Sequence, residues 1–461
     1  MGFQIKSFDN NATYEKSFIY KLGIYYEEIF RVEDLDFILI KAGKDTNSLI
    51  NIAALFISEI DFAVLNDDFE DDDIKEMFHK KKILVLDDFK EMNIKNYKYN
   101  YDSLNRKIEI SINNNKRKIL YLSSGSTGNP KLIEITSQSA CICHKKVLNL
   151  NVFNKNIENI FCFHSNSFVI SLNYILLGIL ADVQLVTLYD GGPLKMASCL
   201  KIIGNKTLII SVPSYWEKLA PFLKSQAIKI NTVFSCGEPL KFEVAKSIKD
   251  IVLKKFFNFY GATEFATWIF YFEVSGKYIK EFSNKNESFV PIGKPLQEVK
   301  IHIEKNGLMG VSCNHMAENY IKNNYSYLNV DFKNIRGDKY IFIGDRVKKK
   351  NNTIYCEGRI DGLVKVKGIF VDLFKLQEIL ILILFNRQFL LEVGKDQSIY
   401  LFIGSEKLDK YDKEKLEKKV SQNLSKVISR KINLKIIFED KGLKLNRSSK
   451  VDKLFYKKLI N

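Results

Sequence analysis

Little in this chain invites a disulfide or a metal cluster. Its seven cysteines, Cys141, Cys143, Cys162, Cys199, Cys236, Cys313 and Cys356, are odd in number and scattered, with no CxxC pair. That argues against a disulfide framework and a zinc module, and favours reduced, mostly buried thiols in a cytosolic protein. Long apolar runs are also missing. The longest, residues 168–181, is interrupted by Ser171 and Asn173 and falls short of the ~20 residues that span a bilayer. The amino terminus, MGFQIKSFDNNATYEK, lacks the apolar core of a signal peptide. Lys6 stands where a myristoylation motif after Gly2 wants a small hydroxyl residue. The expectation is a cytoplasmic protein with no membrane partner.

A dense basic block with interleaved aromatics is absent too. Lys+Arg 70 against Asp+Glu 54 gives a formal charge of +16. The lysines are spread over the chain, so nucleic acid is not the expected partner. A basic balance still suits smaller anions or an acidic protein. No Pro/Gly/Ser linker and no internal repeat mark a domain boundary. With 461 residues, 46% of them hydrophobic, the chain is long enough for a large core and a second domain.

What is present is an alternation of strand and helix patterns. Residues 46–60 carry Leu49, Ile52, Leu55 and Phe56 at helical spacing. Short apolar runs at 62–65, 83–86, 160–164, 183–188, 208–212, 232–235 and 256–259 read as strands, with helices over 71–82, 137–148, 168–180, 213–223 and 240–251. This predicts an α/β fold with layered, mostly parallel sheets. After about residue 289 strands dominate, and beyond Asp361 comes a smaller α+β piece with a lysine-rich end. The acidic cluster at 67–73 reads as a solvated turn leading into a helix.

One stretch carries an anion-binding signature. In LYLSSGSTGNPK an apolar strand breaks into Ser123, Ser124, Gly125, Ser126, Thr127 and Gly128, and the stretch closes on Lys131. Glycines let the backbone approach a ligand closely. Successive N–H groups form a nest for anions, to which hydroxyls and Lys131 add donors and charge. The P-loop pattern is excluded, because Lys131 follows Pro130 and precedes Leu132.

The same stretch resembles the signature of the adenylate-forming enzymes, the superfamily of acyl- and aryl-CoA synthetases, peptide-synthetase adenylation domains and luciferases. Five further segments resemble that family in the same order: NFYGATE (Asn258, Tyr260, Gly261, Thr263, Glu264), VPIGKPL, the Gly344-Asp345 pair, GRIDGLVKVKG (Arg359, Asp361, Lys365, Gly368) and LKLNRSSKVDK with Lys450. Ile343 replaces the family's usual hydroxyl residue before Gly344, and Ser449 its usual glycine before Lys450. The run Lys375–Glu378 also departs from the family's acidic pattern.

The resemblance implies a large domain over 1–360, binding ATP and acid, and a small mobile domain over 361–461 that carries the catalytic lysine. Serines, glycines and threonine of residues 123–128, with Lys131, would hold the β- and γ-phosphates. Gly237 and Asn258 would belong to the nucleotide site. Tyr260 would lie under the adenine on the turn made by Gly261. Thr263 would donate to the α-phosphate, and Glu264 would hold Mg²⁺, which suits a carboxylate plus phosphate oxygens. Asp345 would accept the ribose hydroxyls, and Arg359 would touch ribose or phosphate. Lys450 would stabilise attack of a carboxylate on the α-phosphate. The small domain would then turn about Asp361 and present Lys365 and Gly368 for thioester formation.

His164, in FCFHSNSF, either stands beside the acyl pocket or is a satisfied core histidine. No acidic residue occurs in residues 162–169 to bind a substrate ammonium, which points to an uncharged acyl or aryl acid. Phe265, Thr267, Trp268 and Phe270 either wall that pocket or belong to the core. The expected partners are a small carboxylic acid and a thiol, either CoA or the phosphopantetheine of an acyl carrier protein.

Overall fold

The computed structural model describes residues 2–460 apart from 59, 68–70, 80, 87–116, 124–130, 154–155, 191, 284–287, 318, 323–325, 330–331, 368, 385–386, 407, 426, 430 and 446–450. It contains two large sheets, a five-stranded sheet, and a carboxy-terminal unit with two small sheets. The α/β expectation holds.

The nine-stranded sheet organises the molecule. Its central strands, Val252–Tyr260, Ile230–Cys236, Thr207–Ser211, Asn159–Cys162, Gln184–Thr187 and Gln4–Ser7, run parallel in that spatial order. Antiparallel strands close both edges: Phe270–Glu273 and Lys294–Pro295 on one, Thr13–Glu15 on the other. Ile230–Cys236 is buried along its whole length. Its pattern accordingly shows no regular apolar/polar alternation, and Asn231, Thr232 and Ser235 are buried with the apolar residues. The helices that follow these strands cover the two faces. Phe234 and Phe257 face one core, while Val233 and Phe256 face another.

The seven-stranded sheet holds the hairpin Lys118–Ser123/Lys131–Thr136 beside Phe62–Asn66 and Phe37–Ala42. In the hairpin register Ser123 faces Lys131. The second arm of this hairpin is missing from the sequence reading, since its charged Lys131 and Glu134 mask the apolar Leu132, Ile133 and Ile135. Thr136 then caps the helix Ser137–Leu148, accepting from the Ser139 N–H at 3.0 Å. Asp45 does the same for Thr46–Ile57 through the Ser48 N–H at 2.6 Å.

In the five-stranded sheet, Asp338–Lys350 pairs with Thr353–Arg359. A 3₁₀ turn, Ile360–Gly362, leads on to the hairpin Leu363–Val366/Ile369–Asp372. From there, one core cluster draws only on residues between 364 and 438. A second, smaller cluster packs Tyr456 against Phe402. The unit meets the rest of the chain where Phe374 stacks on Phe289 at 5.2 Å and Lys241 lies over Phe389 at 5.6 Å. Gly358 makes this contact possible: a Cβ there would sit 2.7 Å from Phe374.

All seven cysteines are free, and Cys356 is the one not fully buried. No helix among the described residues is long and apolar enough to cross a membrane.

Candidate active site

Ligands of parallel α/β sheets bind beyond the carboxyl ends of the strands. In this sheet that edge carries Ser211, Ser235 and Asn258 in one register row, with His164 just past Cys162. Beyond Asn258, Tyr260 ends its strand and the chain folds back through Gly261. A Cβ on Gly261 would fall 1.7 Å from the Thr267 carbonyl oxygen, so glycine is required there. The returning backbone closes with the Ile269 N–H on the Tyr260 carbonyl at 2.9 Å.

Inside this fold-back lies the 3₁₀ turn Thr263–Phe265. Thr263 and Glu264 are half-buried on it. The Glu264 carbonyl accepts from the Ala317 N–H at 2.7 Å, which anchors the turn from a second side. The strand Lys131–Thr136 packs against the same turn. The base of the Ser/Gly/Thr stretch is therefore carried to Thr263 and Glu264. Ser124, Gly125, Ser126, Thr127 and Gly128 lie outside the described residues.

Asp345 approaches from the five-stranded sheet. It lies within the long strand Asp338–Lys350, at a register irregularity between Asp345 and Val347. Gly344, at φ +92°, precedes that irregularity. The carboxylate takes a hydrogen bond from the Tyr260 hydroxyl and another from Arg359 Nη1 at 3.3 Å. Burial and the neighbouring carboxylate push the Tyr260 phenol well above its ordinary range. Arg359 is the last residue of its strand and directly precedes the turn that contains Asp361.

Other expected residues have different surroundings. The Asn258 amide donates to the Pro291 carbonyl at 2.9 Å, so it holds the VPIGKPL segment in place. Gly237, at φ +82°, turns the chain out of its strand. Next to it, Glu238 accepts from the Ser214 N–H at 2.9 Å, at the start of helix Pro213–Ser225. His164 is 5% exposed. Its Nε2 lies 2.9 Å from Ser211 Oγ, and its ring contacts Phe163 and Tyr215. Ser211 escaped the sequence reading because only the register between parallel strands brings it to His164.

The aromatic residues after Glu264 belong to the core. Phe265 and Phe270 are wholly buried, and Trp268 stacks on Phe259 at 4.8 Å. Lys365 lies on the strand Leu363–Val366. Gly368 and Lys450 lie outside the described residues. Leu445 and Val451, on either side of residues 446–450, pair as an antiparallel bridge. Asp452 caps the helix Lys453–Leu459.

The family profile described as "AMP-binding enzyme" matches residues 51–320, and the chain belongs to that family. Among curated relatives, gramicidin S synthase 1 of Brevibacillus brevis is 27% identical over 298 residues, covering 59% of this chain and 25% of that protein. The D-alanine–D-alanyl carrier protein ligase of Staphylococcus aureus is 23% identical over 276 residues, covering 58% of this chain and 55% of the ligase. This chain therefore matches about half the length of the ligase and a quarter of the synthase. Among solved structures, o-succinylbenzoate CoA synthetase from Bacillus subtilis, in complex with its acyl-adenylate intermediate, superposes with a TM-score of 0.69 at 14% identity. That match covers 98% of this chain and 94% of the synthetase. At such identity the likeness is one of fold.

Proposed function

We propose that this protein activates a carboxylic acid with ATP, forming an acyl-adenylate and pyrophosphate, and then passes the acyl group to a thiol. The observation that carries this reading is that Tyr260, on the nine-stranded sheet, meets Asp345 and its partner Arg359 from the five-stranded sheet. In this reading Asp345 takes the ribose and the ring of Tyr260 takes the adenine. The Thr263 hydroxyl donates to an α-phosphate oxygen. The hairpin base at Ser123 and Lys131 brings the stretch between them to the β- and γ-phosphates. Lys450 brings an ammonium between the two negatively charged reactants, where it offsets their repulsion and aligns the attack.

Glu264 fits Mg²⁺: it is half-buried on the turn, and Mg²⁺ is commonly bound by one or two carboxylates plus phosphate oxygens. When bound, the ion neutralises charge building on the phosphates.

Residues 361–461 would act as the mobile unit that withdraws Lys450 and presents Lys365 and Gly368. A core drawn only from residues 364–438 supports that division. The acid would carry no ammonium, since residues 162–169 hold no carboxylate to pair with one. CoA is the first reading for the acceptor. The carrier-protein ligase among the relatives favours a second, in which a holo carrier protein takes the acyl group.

Acid-dependent ATP–pyrophosphate exchange over aryl, acyl and amino acids tests the first half-reaction. Lys450→Ala should lower exchange roughly 10²–10³-fold, as loss of a single transition-state donor does. No exchange with any acid at saturating Mg·ATP would overturn the reading. AMP release with CoA, against acylation of a holo carrier protein, separates the two acceptors.

A further inference from the structure

A lysine is rarely buried unless it is paired, yet Lys146, on helix Ser137–Leu148, is 7% exposed. Its Nζ donates to Asn314 Oδ1 at 2.8 Å and lies 3.4 Å from the carboxylate of Glu298. The Asn314 amide donates to that same carboxylate at 3.3 Å. His315 is wholly buried beside them, with Nδ1 3.3 Å from Asn314 Oδ1. Burial first, then the Lys146 charge, lowers its pKa from 6.5 to about 3, so it stays neutral. An apolar side chain would fill the Lys146 position without the cost of burying an ammonium. What the ammonium supplies instead is a fixed tie to Asn314.

That tie lies at the head of a strap. Beyond it the Ala317 N–H donates to the Glu264 carbonyl, and Ala317 is itself buried. Further on, the Asn319 amide donates to the buried Glu134 carboxylate at 2.9 Å. There the strand Asn319–Lys322 joins Lys131–Thr136, with Asn319 opposite Glu134 and Ile321 opposite Leu132. Asn314, Ala317 and Asn319 thus touch, in order, the helix Ser137–Leu148, the Thr263–Phe265 turn and the second arm of the hairpin. The turn keeps its own closure through Gly261 and the Ile269–Tyr260 hydrogen bond. A loosened strap would therefore shift the hairpin against the turn and leave the turn itself intact.

We propose that Lys146 and Asn314 are positioning residues: through Ala317 and Asn319 they hold the hairpin Lys118–Ser123/Lys131–Thr136 in register with the Thr263–Glu264 turn, so that both act on one triphosphate. This rests on the assignment of hairpin and turn to the phosphates under the activity reading above.

The test uses the full chain and its Lys146→Met variant, which keeps an unbranched stem and loses the donor. Calorimetry with Mg²⁺ compares AMP, which reaches the turn side alone, with α,β-methylene-ATP, which reaches both sides. The wild type should prefer the triphosphate, and Lys146→Met should reduce that preference about tenfold, as expected for a lost hydrogen bond to a charged group. In exchange by the variant, KM for ATP should rise about tenfold while KM for the acid stays within about twofold. Asn314→Ala, a change at an exposed residue, should do the same, whereas Asn314→Asp, which keeps the acceptor, should not. This pair serves if Lys146→Met does not fold. A merely structural role would weaken both nucleotides alike. An unchanged preference, or an equal loss of both affinities, in the folded variants overturns the proposal. A wild type that binds both nucleotides but exchanges with no acid overturns the activity reading alone, since the preference still tests the strap. A wild type that binds neither overturns both.

Discussion

His144 ties the stability of this protein to pH. It is wholly buried, with Nδ1 2.7 Å from the Ala140 carbonyl oxygen and Nε2 2.9 Å from the Asn173 amide. Burial lowers its pKa from 6.5 to about 4. Between those values the unfolded chain binds the proton and the native fold does not. The stability linked to His144 is therefore complete above pH 6.5 and drains as pH falls toward 4. On the order of 3 kcal/mol is at stake. Urea midpoints at pH 7.5 and 5 should converge in His144→Gln relative to wild type; an equal pH slope in both proteins would remove this account. At the same scale, Tyr260, Thr263 and Glu264 were legible in the sequence because one contiguous turn holds them. Ser211 and the Tyr260–Asp345 bond were not, because strand register and the packing of separate sheets create those contacts.

Among the elements, Phe374, on helix Leu373–Leu384, stacks on Phe289. Phe374 is 8% exposed and packs against the strand end at Gly358. Phe374→Ala should cost on the order of 3 kcal/mol and loosen the carboxy-terminal unit. Faster proteolysis near residues 359–363, with unchanged far-UV dichroism, is the expected sign. Unchanged proteolysis would show that other contacts hold the unit. Helix Ser137–Leu148 could be read at its observed limits because a threonine cap and an apolar periodicity agree. The strand Val252–Tyr260 was seen only from Phe256, since its first four residues are at least partly exposed and two are lysines. The arm Lys131–Thr136 was hidden because Glu134, itself buried, interrupts the apolar Leu132, Ile133 and Ile135.

At the scale of the whole molecule, the residues proposed to face the nucleotide, Tyr260, Thr263, Glu264, Asp345 and Arg359, all precede the turn Ile360–Gly362, whereas Lys450 follows it. A protein truncated after residue 360 should bind AMP within about tenfold of the full chain, roughly 1.4 kcal/mol, yet show no pyrophosphate exchange. Exchange by the truncated protein would remove Lys450 from its assigned role. The layered α/β architecture was readable because parallel strands buried on both faces appear as apolar runs between helices. The assembly of those strands was not readable, because it joins segments far apart in the chain.

One of those joins sets a clock for synthesis. Gln4–Ser7 lies beside Gln184–Thr187, with Ile5 opposite Leu185, and the Phe3 N–H donates to the Asp182 carboxylate at 2.9 Å. The Gln4 and Gln184 side chains meet across a separation of 180 residues. At about 5–20 residues per second, a ribosome needs roughly 10–40 s to make that stretch. Throughout that interval Gln4–Ser7 has its hairpin partner Thr13–Glu15, while Phe3 and Ile5, which are buried in the finished protein, still await the parallel neighbour on their other side.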